Sequence, residues 1–588
     1  NNPFLATKLL PVQIKSPGRL GLNTQSSSIG LGPEWAFFLD NAVFDDLGRI
    51  AARKGLLKVT DTPISGNPIL SQTFEYREDA SSNHIITADN VNGKLYTGTT
   101  TLTEKTGSLS FSNTNWQFAN FNGKVVGASQ AQFPIFWDGG SGNFLTIHSQ
   151  HANWAASTAY ALGATVKSAA AATQERYFVC TSAGTSGGSE PTFPSTEGGT
   201  VVDNGATWTT VKMPKGDCII SGFGRLWAVD SDRTTIRFSA FNNDKLWDTQ
   251  NGGGVIDLVN NFAFEKDFIK ALAIFNNQLI VFGKNNITIF NSAVAPASLA
   301  LADTVTGMGC IARDSIQNIG SDVIFLSDDG VRALSRTIEL EKMPAQDLSQ
   351  SIRTEFLEFL STKDKDKVRS LFSQEQGFYL LLVGSSIYMF DFKDMISSPK
   401  TIDVPLPKIS RWLEMEPESL TTSVDGTVYF ARSGYIAKYS GYKDSVLSGS
   451  SVVQSSYNFK YRSNWLDFGF LDPQVAGLFK MPKKIKMTVD EGSEYDINFF
   501  WAFDYVNREF RQKATAVSGD SVATGSQWGS SEWNLAEWSG NAITVDKVPA
   551  QLSGSGQNMQ YGFDVSINGA NIAVSQVELL IKIGRVAR

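Results

Sequence analysis

The sequence predicts a mainly β protein: a β-propeller of about six blades, interrupted by a small inserted β module and followed by a C-terminal β-sandwich-like platform domain. Three observations predict this fold class. Short runs of β-branched and aromatic residues are bounded by Asn- and Gly-rich turns, the pattern of antiparallel strands. These strand–turn–strand units recur about every 50 residues, close to the length of a four-stranded propeller blade. One stretch rich in Ala, Thr, Gly and Ser interrupts the recurrence.

Residues 269–293 show the unit most clearly. Three apolar runs are separated by Asn276 and Asn277 and then by a turn over residues 283–286. Asn and Gly suit such hairpin turns because they adopt positive φ at little cost. The stretch therefore predicts three consecutive antiparallel strands.

The recurrence locates the blades and the insertion. Similar units begin at residues 121, 223, 275, 320, 375 and 424, and the steps after the first are 45 to 55 residues long. The first step is 102 residues, about twice one blade, and this excess predicts an insertion at 150–213. We expect the propeller at 69–149 and 214–443.

The inserted segment carries three large aromatic residues, Trp154, Tyr160 and Trp208, in a pattern W-x5-Y-x2-G-x2-V with a later DNGATW. This pattern resembles small carbohydrate-binding-like modules inserted in phage and bacterial surface proteins. The resemblance implies that the three rings could stack on a sugar. The alternative, favoured because so short a segment has few other large side chains, is that they form the core of the module.

The flanking segments differ from the propeller. Residues 1–68 contain Pro3, Pro11, Pro17 and Pro33 and a Ser-rich stretch, which predict an N-terminal arm and entry segment. Residues 444–588 begin with a Ser-rich linker and continue in longer alternating runs, which predict the platform domain. Between two propeller units, apolar residues at helical spacing after Asp347 predict one amphipathic helix, capped by Asp347.

Five residues are candidates for contact with a neighbouring subunit. Arg49 and Arg53 lie in a basic hairpin of the entry segment, for which a solvated surface is the alternative. Trp528, Trp533 and Trp538 recur in a polar stretch of the platform, where packing within the chain is the alternative.

Composition excludes several classes of function. The net charge of −7 argues against a strongly basic nucleic-acid binder. Three widely spaced cysteines predict buried free thiols made in a reducing compartment, and no signal peptide or membrane span is expected. The three histidines complete no metal-ligand pattern, and no nucleophile elbow, phosphate loop or zinc-protease motif occurs. We therefore expect no catalytic, cofactor-binding or metal-binding residues.

The order of these parts resembles the tail nozzle proteins of short-tailed phages, the family of tail tubular protein B and the packaged-DNA stabilisation (tail hub) proteins. Near their start, members have an "N…F…GR…R.G" pattern. The matching residues here are Asn41, Phe44, Gly48, Arg49, Arg53 and Gly55. The inserted module departs from the simplest members of this family.

The resemblance implies a structural protein of the virion that is assembled in the host cytoplasm and is not an enzyme. Members form a six-fold ring below the tail adaptor, close the tube that retains the genome and open at infection. The implied partners are further copies of the chain, the tail adaptor, tail fibres or tailspikes, and passing double-stranded DNA that is not bound sequence-specifically. Two alternatives stay open: a receptor- or glycan-binding tail protein that uses the module on a host-surface glycan, and a propeller glycosidase or lyase.

Overall fold

The computed structural model of the protein describes most of the chain. Its description covers residues 9–28, 30–79, 82–111, 115–130, 132–170, 173–259, 267–335, 347–397, 405–491, 495–506, 510–515 and 544–584. Within these residues most of the regular secondary structure is β, as the sequence predicts.

Seven sheets form the blades of a propeller in the described part of the chain. Neighbouring blades pack through their first strands, except blades 4 and 5, which share a hydrophobic core. Blade 1 contains Gln72–Arg77, Asn83–Asp89, Lys94–Thr97 and Thr103–Glu104. Blade 2 contains Gln117–Phe121, Lys124–Ser129, Gln132–Trp137 and Leu145–Thr146. Blade 3 contains Ile219–Gly222, Arg225–Val229, Thr235–Phe238 and Gly254–Asp257. Blade 4 contains Ile269–Phe275, Gln278–Gly283, Asn286–Asn291 and Ala300–Thr306.

Blades 5 to 7 complete the ring. Blade 5 has three described strands, Gln317–Asn318, Val323–Ser327 and Gly330–Ala333. Blade 6 contains Arg369–Ser373, Phe378–Val383, Ser386–Ser397 and Pro405–Trp412. Blade 7 contains Ser419–Thr422, Val428–Arg432, Tyr435–Tyr439 and, from the N-terminal segment, Leu56–Lys58. The first strand of blade 7 contacts that of blade 1, so the ring closes.

The predicted propeller is confirmed, and the six predicted units are the inner hairpins of blades 2 to 7. Asn276 and Asn277, in the turn of blade 4, have φ of 48° and 59°, the values that Asn tolerates. The additional blade, blade 1, has an inner turn of another composition. Asp79 accepts a hydrogen bond from the backbone N–H of Ser82 there, without an Asn-Gly or Asn-Asn pair.

The platform is a sandwich of two sheets. The outer sheet contains Leu10–Lys15, Ala42–Phe44, Ile50–Ala52, Phe479–Glu491, Thr544–Gln551 and Ile572–Gly584. The facing sheet contains Gly21–Leu22, Trp35–Asp40, Tyr457–Ser463, Asp496–Phe503, Phe510–Thr515 and Met559–Ile567. Inward-facing residues of both sheets belong to the largest hydrophobic core of the molecule.

The N-terminal segment does not form a separate arm in the described residues. Its strands pair with C-terminal strands in both sandwich sheets, and its strand Leu56–Lys58 completes blade 7. The expected boundary at residue 68 is therefore corrected: this segment ties the two ends of the chain together. The Ser-rich segment expected to be a linker is also structured, as a hairpin of Asp444–Ser448 and Ser451–Ser455.

One sheet runs through both parts of the molecule. The outer strand of blade 6, Pro405–Trp412, pairs in parallel with Trp35–Asp40 at Arg411 and Asp40. Trp35–Asp40 in turn pairs with Tyr457–Ser463 of the sandwich. Blade 6 and the facing sheet thus form a single ten-stranded sheet.

The inserted module occupies the predicted position. Its main sheet contains Ala152–Asn153, Thr165–Lys167, Arg176–Ser182, Thr200–Asp203 and Ala206–Lys212, and a small second sheet pairs Ala159–Tyr160 with Gly184–Thr185.

The predicted helix is present but short. It spans Arg353–Ser361, and Phe356 and Leu360 are buried beneath it. Asp347 does not cap it; its carboxylate accepts a hydrogen bond from the backbone N–H of Ser349, before the helix begins. Short 3-10 turns lie at Ile147–Gln150, Thr249–Asn251, Pro296–Ser298, Arg313–Ser315, Gln350–Ile352, Lys365–Lys367 and Pro473–Val475.

Candidate functional sites

A cluster of buried and partly buried polar residues closes one end of the propeller axis. They lie where the chain enters the inner strands of blades 2, 3, 5 and 6, and we call them the axial network: Asn115, Asp217, Arg313, Asp314 and Arg369. Because blades 2 and 5 lie on opposite sides of a seven-membered ring, contacts between them cross the axis.

Arg313 makes the crossing contacts. Its guanidinium donates to the carbonyl oxygens of Asn115 at 3.1 Å and Trp116 at 2.9 Å, and to that of Asp217. It also pairs with the Asp314 carboxylate at 2.7 Å. One side chain therefore holds blades 2, 3 and 5 together.

Arg369, in blade 6, extends the network to blade 1. It donates to the carbonyl oxygen of Ser71 at 2.9 Å, just before blade 1, and to the Asn115 side chain at 3.0 Å. It also pairs with Asp314 at 3.0 Å. Five of the seven described blades thus meet in one cluster.

The electrostatics of the axial network suit bracing rather than catalysis. Burial alone would raise the pKa of Asp314, but the charges of Arg313 and Arg369 outweigh burial and lower that pKa. The carboxylate therefore stays ionised and fully paired at neutral pH, whereas a general acid or base needs a pKa near the working pH and access to substrate. These residues were not predicted from the sequence, and their only signal is their position at or just before the start of an inner strand.

The aromatic residues of the inserted module form its core. Trp154 and Trp208 are 8% and 0% exposed. Both indole N–H groups donate to the carboxylate of Asp203, at 2.8 and 3.0 Å. Because neither ring has an open face, the hypothesis that Trp154 and Trp208 stack on a sugar is corrected in favour of the core alternative. Tyr160 is half-buried edge-on against Trp208, at 4.8 Å between ring centroids, and sugar stacking by its ring stays a prediction.

The module is fastened to the propeller by one face of its sheet. In the strand Arg176–Ser182, Phe178 and Cys180 point into the core of the module. Tyr177 and Val179 point the other way and join a core shared with blades 2 and 3. This alternation is the two-residue period of a strand, which here places one strand between two cores.

Tyr177 is the centre of this joint. Its hydroxyl donates to Asp248 at 2.8 Å and accepts from the backbone N–H of Trp247 at 2.6 Å, both in the loop after the third strand of blade 3. Its ring stacks on His151, with centroids 4.2 Å apart and planes at 14°. The module is thus held against the propeller by specific side chains.

The two histidines at the start of the module are packed, without a metal-ligand partner among the described residues. His148 donates to the carbonyl oxygen of Arg176 at 2.8 Å, and His151 lies 3.0 Å from the hydroxyl of Thr165. Burial lowers the pKa of both, that of His151 to about 3. Both are therefore neutral at physiological pH.

Arg53 is corrected from a candidate subunit contact to an internal brace. Its side chain is fully buried and pairs with Asp444 at 2.7 and 2.9 Å. Its guanidinium also donates to Asn41 and to the carbonyl oxygen of Leu413, and its charged group lies 4.0 Å from the centre of the Tyr457 ring. Arg53 thus joins the N-terminal segment, the end of blade 6 and Tyr457–Ser463, the first C-terminal strand of the sandwich.

The structure does not test the other predicted subunit contacts, at Arg49 and at the three tryptophans. Arg49 is mostly buried and pairs with Asp45 at 2.8 Å and with Asp490 of the outer sheet, so its charge is used within the chain. Its role as a subunit contact stays a prediction. Trp528, Trp533 and Trp538 lie outside the described residues.

The prediction for the three cysteines is confirmed. Cys180, Cys218 and Cys310 are buried free thiols, as predicted. Burial raises the pKa of Cys218 to about 12 and that of Cys310 to about 11, which makes them unreactive near neutral pH. No cluster of metal-ligating side chains occurs among the described residues, and none of their helices has the length and apolar character of a membrane span.

Comparisons with known proteins bear on the fold alone. No family model and no curated protein matches the sequence. Among solved structures, the chain is similar to PorZ, a bacterial surface component of the type-IX secretion system of Porphyromonas gingivalis, at 10% identity and a TM-score of 0.30, over 70% of this chain and 42% of PorZ. The chain thus spans less than half the length of that structure.

Two further structures match over most of their own length. Streptogramin B lyase matches at 11% identity and a TM-score of 0.26, over 66% of this chain and 97% of the lyase. The Pan2 WD40 domain of Neurospora crassa matches at 8% identity and a TM-score of 0.30, over 66% and 94%. The fold class rests on the sheet arrangement described above, and the activities of these proteins are not transferred to the chain.

Proposed function

We propose that this chain is a structural subunit of a phage tail nozzle: a non-enzymatic ring protein that closes the DNA channel, retains the packaged genome and opens for DNA ejection. The observation that carries the proposal is the continuity of propeller and platform. A ten-stranded sheet, the interleaved N-terminal strands and buried Arg53 join the two parts, and the resulting rigid unit suits the wall of a ring.

The axial network bears on where DNA would pass. Arg313 and Arg369 span the propeller axis, so the axis of a single subunit offers no path for a duplex past them. In the proposed ring the channel lies between subunits, and each propeller is part of its wall. Heterologous contacts that close on themselves generate such a ring.

The proposed mechanism is mechanical. With a net charge of −7, acidic residues outnumber basic ones, so the chain as a whole should not hold a polyanion tightly and DNA can slide past it. Engagement of the host then shifts a constriction from closed to open, as in other switching assemblies. The proposed partners are further copies of the chain, expected to form a homohexamer, the tail adaptor, and tail fibres or tailspikes, all located in the virion.

A measurement of assembly tests the proposal. The full chain is examined alone and with the purified adaptor ring of the same particle, by native mass spectrometry and electron microscopy. The expected result is a ring with a defined number of copies, six by the family resemblance. A chain that stays monomeric at micromolar concentration in the presence of the adaptor ring would overturn the proposal.

The alternative functions are tested on the same preparation. Burial of Trp154 and Trp208 leaves little support for sugar stacking by the module, so we expect no glycan-array signal that Tyr160→Ala abolishes. Turnover of host polysaccharide by the full chain would establish the glycosidase or lyase alternative and end the non-enzymatic proposal.

A further inference from the structure

One face of the platform concentrates lysines in an otherwise acidic protein. In the outer sheet, residues that alternate with the buried core positions point away from the sandwich. Five lysines lie on this side or at its margin, and we call them the lysine face: Lys15, Lys483, Lys484, Lys486 and Lys582. Each is exposed or half-buried.

The strand register brings these lysines together. Lys484 and Lys486 are two residues apart on one strand, about 7 Å along it. Lys484 is opposite Leu580, and Lys582 is two residues further along that neighbouring strand. Lys15 extends the face on the next strand, opposite Gln576. Lys483 is exposed at the bulge where the pairing shifts.

The described acidic residues on this side do not cancel the lysines. Glu578 lies 3.9 Å from Lys486, and Asp45 and Asp490 both pair with Arg49, so these groups offset only part of the five lysine charges. The face therefore carries a clear excess of positive charge, whereas the whole chain carries −7.

The composition of the face indicates a polyanion rather than a folded protein as its partner. Protein interfaces are enriched in aromatic residues, Met and Arg and depleted of Lys. Apart from Glu578, opposite Lys486, and Met481, opposite Lys582, the described outward positions near the lysines are small, neutral or aliphatic. They are Pro11, Gln13, Gln576, Thr488 and Leu580. Lysines on a flat sheet supply point charges for phosphates without reading a base sequence.

We propose that the lysine face binds the phosphate backbone of double-stranded DNA, independently of sequence. This inference deepens the proposed nozzle function and rests on it for the biological source of the DNA. A contact of a few lysines is weak and salt-sensitive, so it can hold a stationary duplex without preventing its later passage.

The test measures salt-dependent binding. Fluorescence anisotropy follows the full chain with a labelled 30-base-pair duplex of mixed sequence between 50 and 200 mM NaCl. The logarithm of the association constant should fall with the logarithm of salt by about 0.9 for each phosphate contact. The triple variant Lys484→Gln, Lys486→Gln, Lys582→Gln should bind about tenfold or more weakly at 50 mM NaCl, with a slope shallower by about 2.7.

A matched control separates the face from overall charge. The triple variant Lys270→Gln, Lys284→Gln, Lys367→Gln changes the net charge equally on the propeller side and should keep the wild-type affinity and slope. Equal losses in both variants, or no binding by the wild-type chain, would overturn the inference. So would polyglutamate that competes better than unlabelled duplex at equal charge, because the face would then suit an acidic protein.

Two further measurements keep the outcome interpretable. If the triple variant does not fold, Lys486→Gln and Lys582→Gln alone should each make the slope shallower by about 0.9. Native mass spectrometry of the triple variant with the adaptor ring should show unchanged assembly. DNA binding without ring formation defeats the nozzle proposal alone, and ring formation without DNA binding defeats this inference alone.

Discussion

The propeller is joined to the rest of the molecule at two places, and the two joints are built differently. The joint to the platform is mainly backbone: blade 6 continues into the sandwich as one sheet, and blade 7 is completed by an N-terminal strand. The joint to the inserted module is mainly side chain. It depends on Tyr177, its stacking partner His151 and the carboxylate of Asp248.

The difference predicts how each joint fails. Backbone pairing between strands depends on no single side chain, so we expect the platform joint to weaken mainly when a buried charge beside it loses its partner. A joint of a few side chains opens locally when one of them changes. The platform should therefore unfold together with the propeller, whereas the module should detach first.

The largest effect is expected at Arg53. Arg53→Met leaves Asp444 buried without its cation, which should lower the free energy of unfolding by about 3–5 kcal/mol. Urea unfolding monitored by fluorescence measures it. The double variant Arg53→Met, Asp444→Leu should recover part of the loss. A cost below about 1 kcal/mol for Arg53→Met would show that the brace contributes little to the platform joint.

A smaller effect is expected at the module joint. Tyr177→Phe keeps the ring stack but removes the hydroxyl that bonds Asp248 and the Trp247 N–H, at a cost of about 1.5–3 kcal/mol. Hydrogen exchange should show faster opening in the module and unchanged protection in the sandwich. Equal loss of protection in both regions would contradict the proposed independence of the two joints.

Acid should weaken the same joint through His151. Its pKa in the folded protein, about 3, is below its ordinary value of 6.5 because of burial, and the nearby His148, Lys167 and Lys245 act in the same direction. The unfolded state thus binds more protons below pH 6.5, so the stability contribution is complete above pH 6.5 and is lost as pH falls toward 3.

The variant His151→Phe isolates this contribution, because Phe keeps an aromatic ring against Tyr177 but cannot be protonated. Between pH 7.5 and pH 5 the variant should gain roughly 2 kcal/mol relative to the wild type in the local opening free energy of the module. Hydrogen exchange at both pH values measures the change. A difference that does not vary with pH would remove His151 as the source.

The smallest effect is expected at Tyr160, which lies in the module but outside the joint. Its hydroxyl accepts a hydrogen bond from the backbone N–H of Ala155 at 3.0 Å in an exposed setting. Tyr160→Phe should therefore change module stability by less than about 1 kcal/mol. It is the matched control for Tyr177→Phe, and an effect as large as that of Tyr177→Phe would mean that the joint is not the weak point.

Local pattern predicted much of the fold. The turns of six blades could be predicted because Asn and Gly residues at positive φ mark hairpins. The insertion could be predicted because it doubles the spacing between two consecutive blade units. Blade 1 was missed because its inner turn relies on Asp79 instead. Sequence reasoning placed the aromatic residues of the module in its core, and burial of Trp154 and Trp208 agrees with that preference.

By itself, the sequence determined the β class, the spacing of the blades, the inserted module and the burial of the three thiols. The fold features follow from periods of two residues and from turn chemistry, which act over a few neighbours, and the thiols follow from the odd number and wide spacing of the cysteines. Only the tertiary structure decided that residues 10–58 belong to the sandwich and the last blade, that Arg53 is internal, and that Arg313 and Arg369 close the axis. Those pairings join residues up to about 570 positions apart, and no local pattern specifies which distant strand or carboxylate a residue will meet.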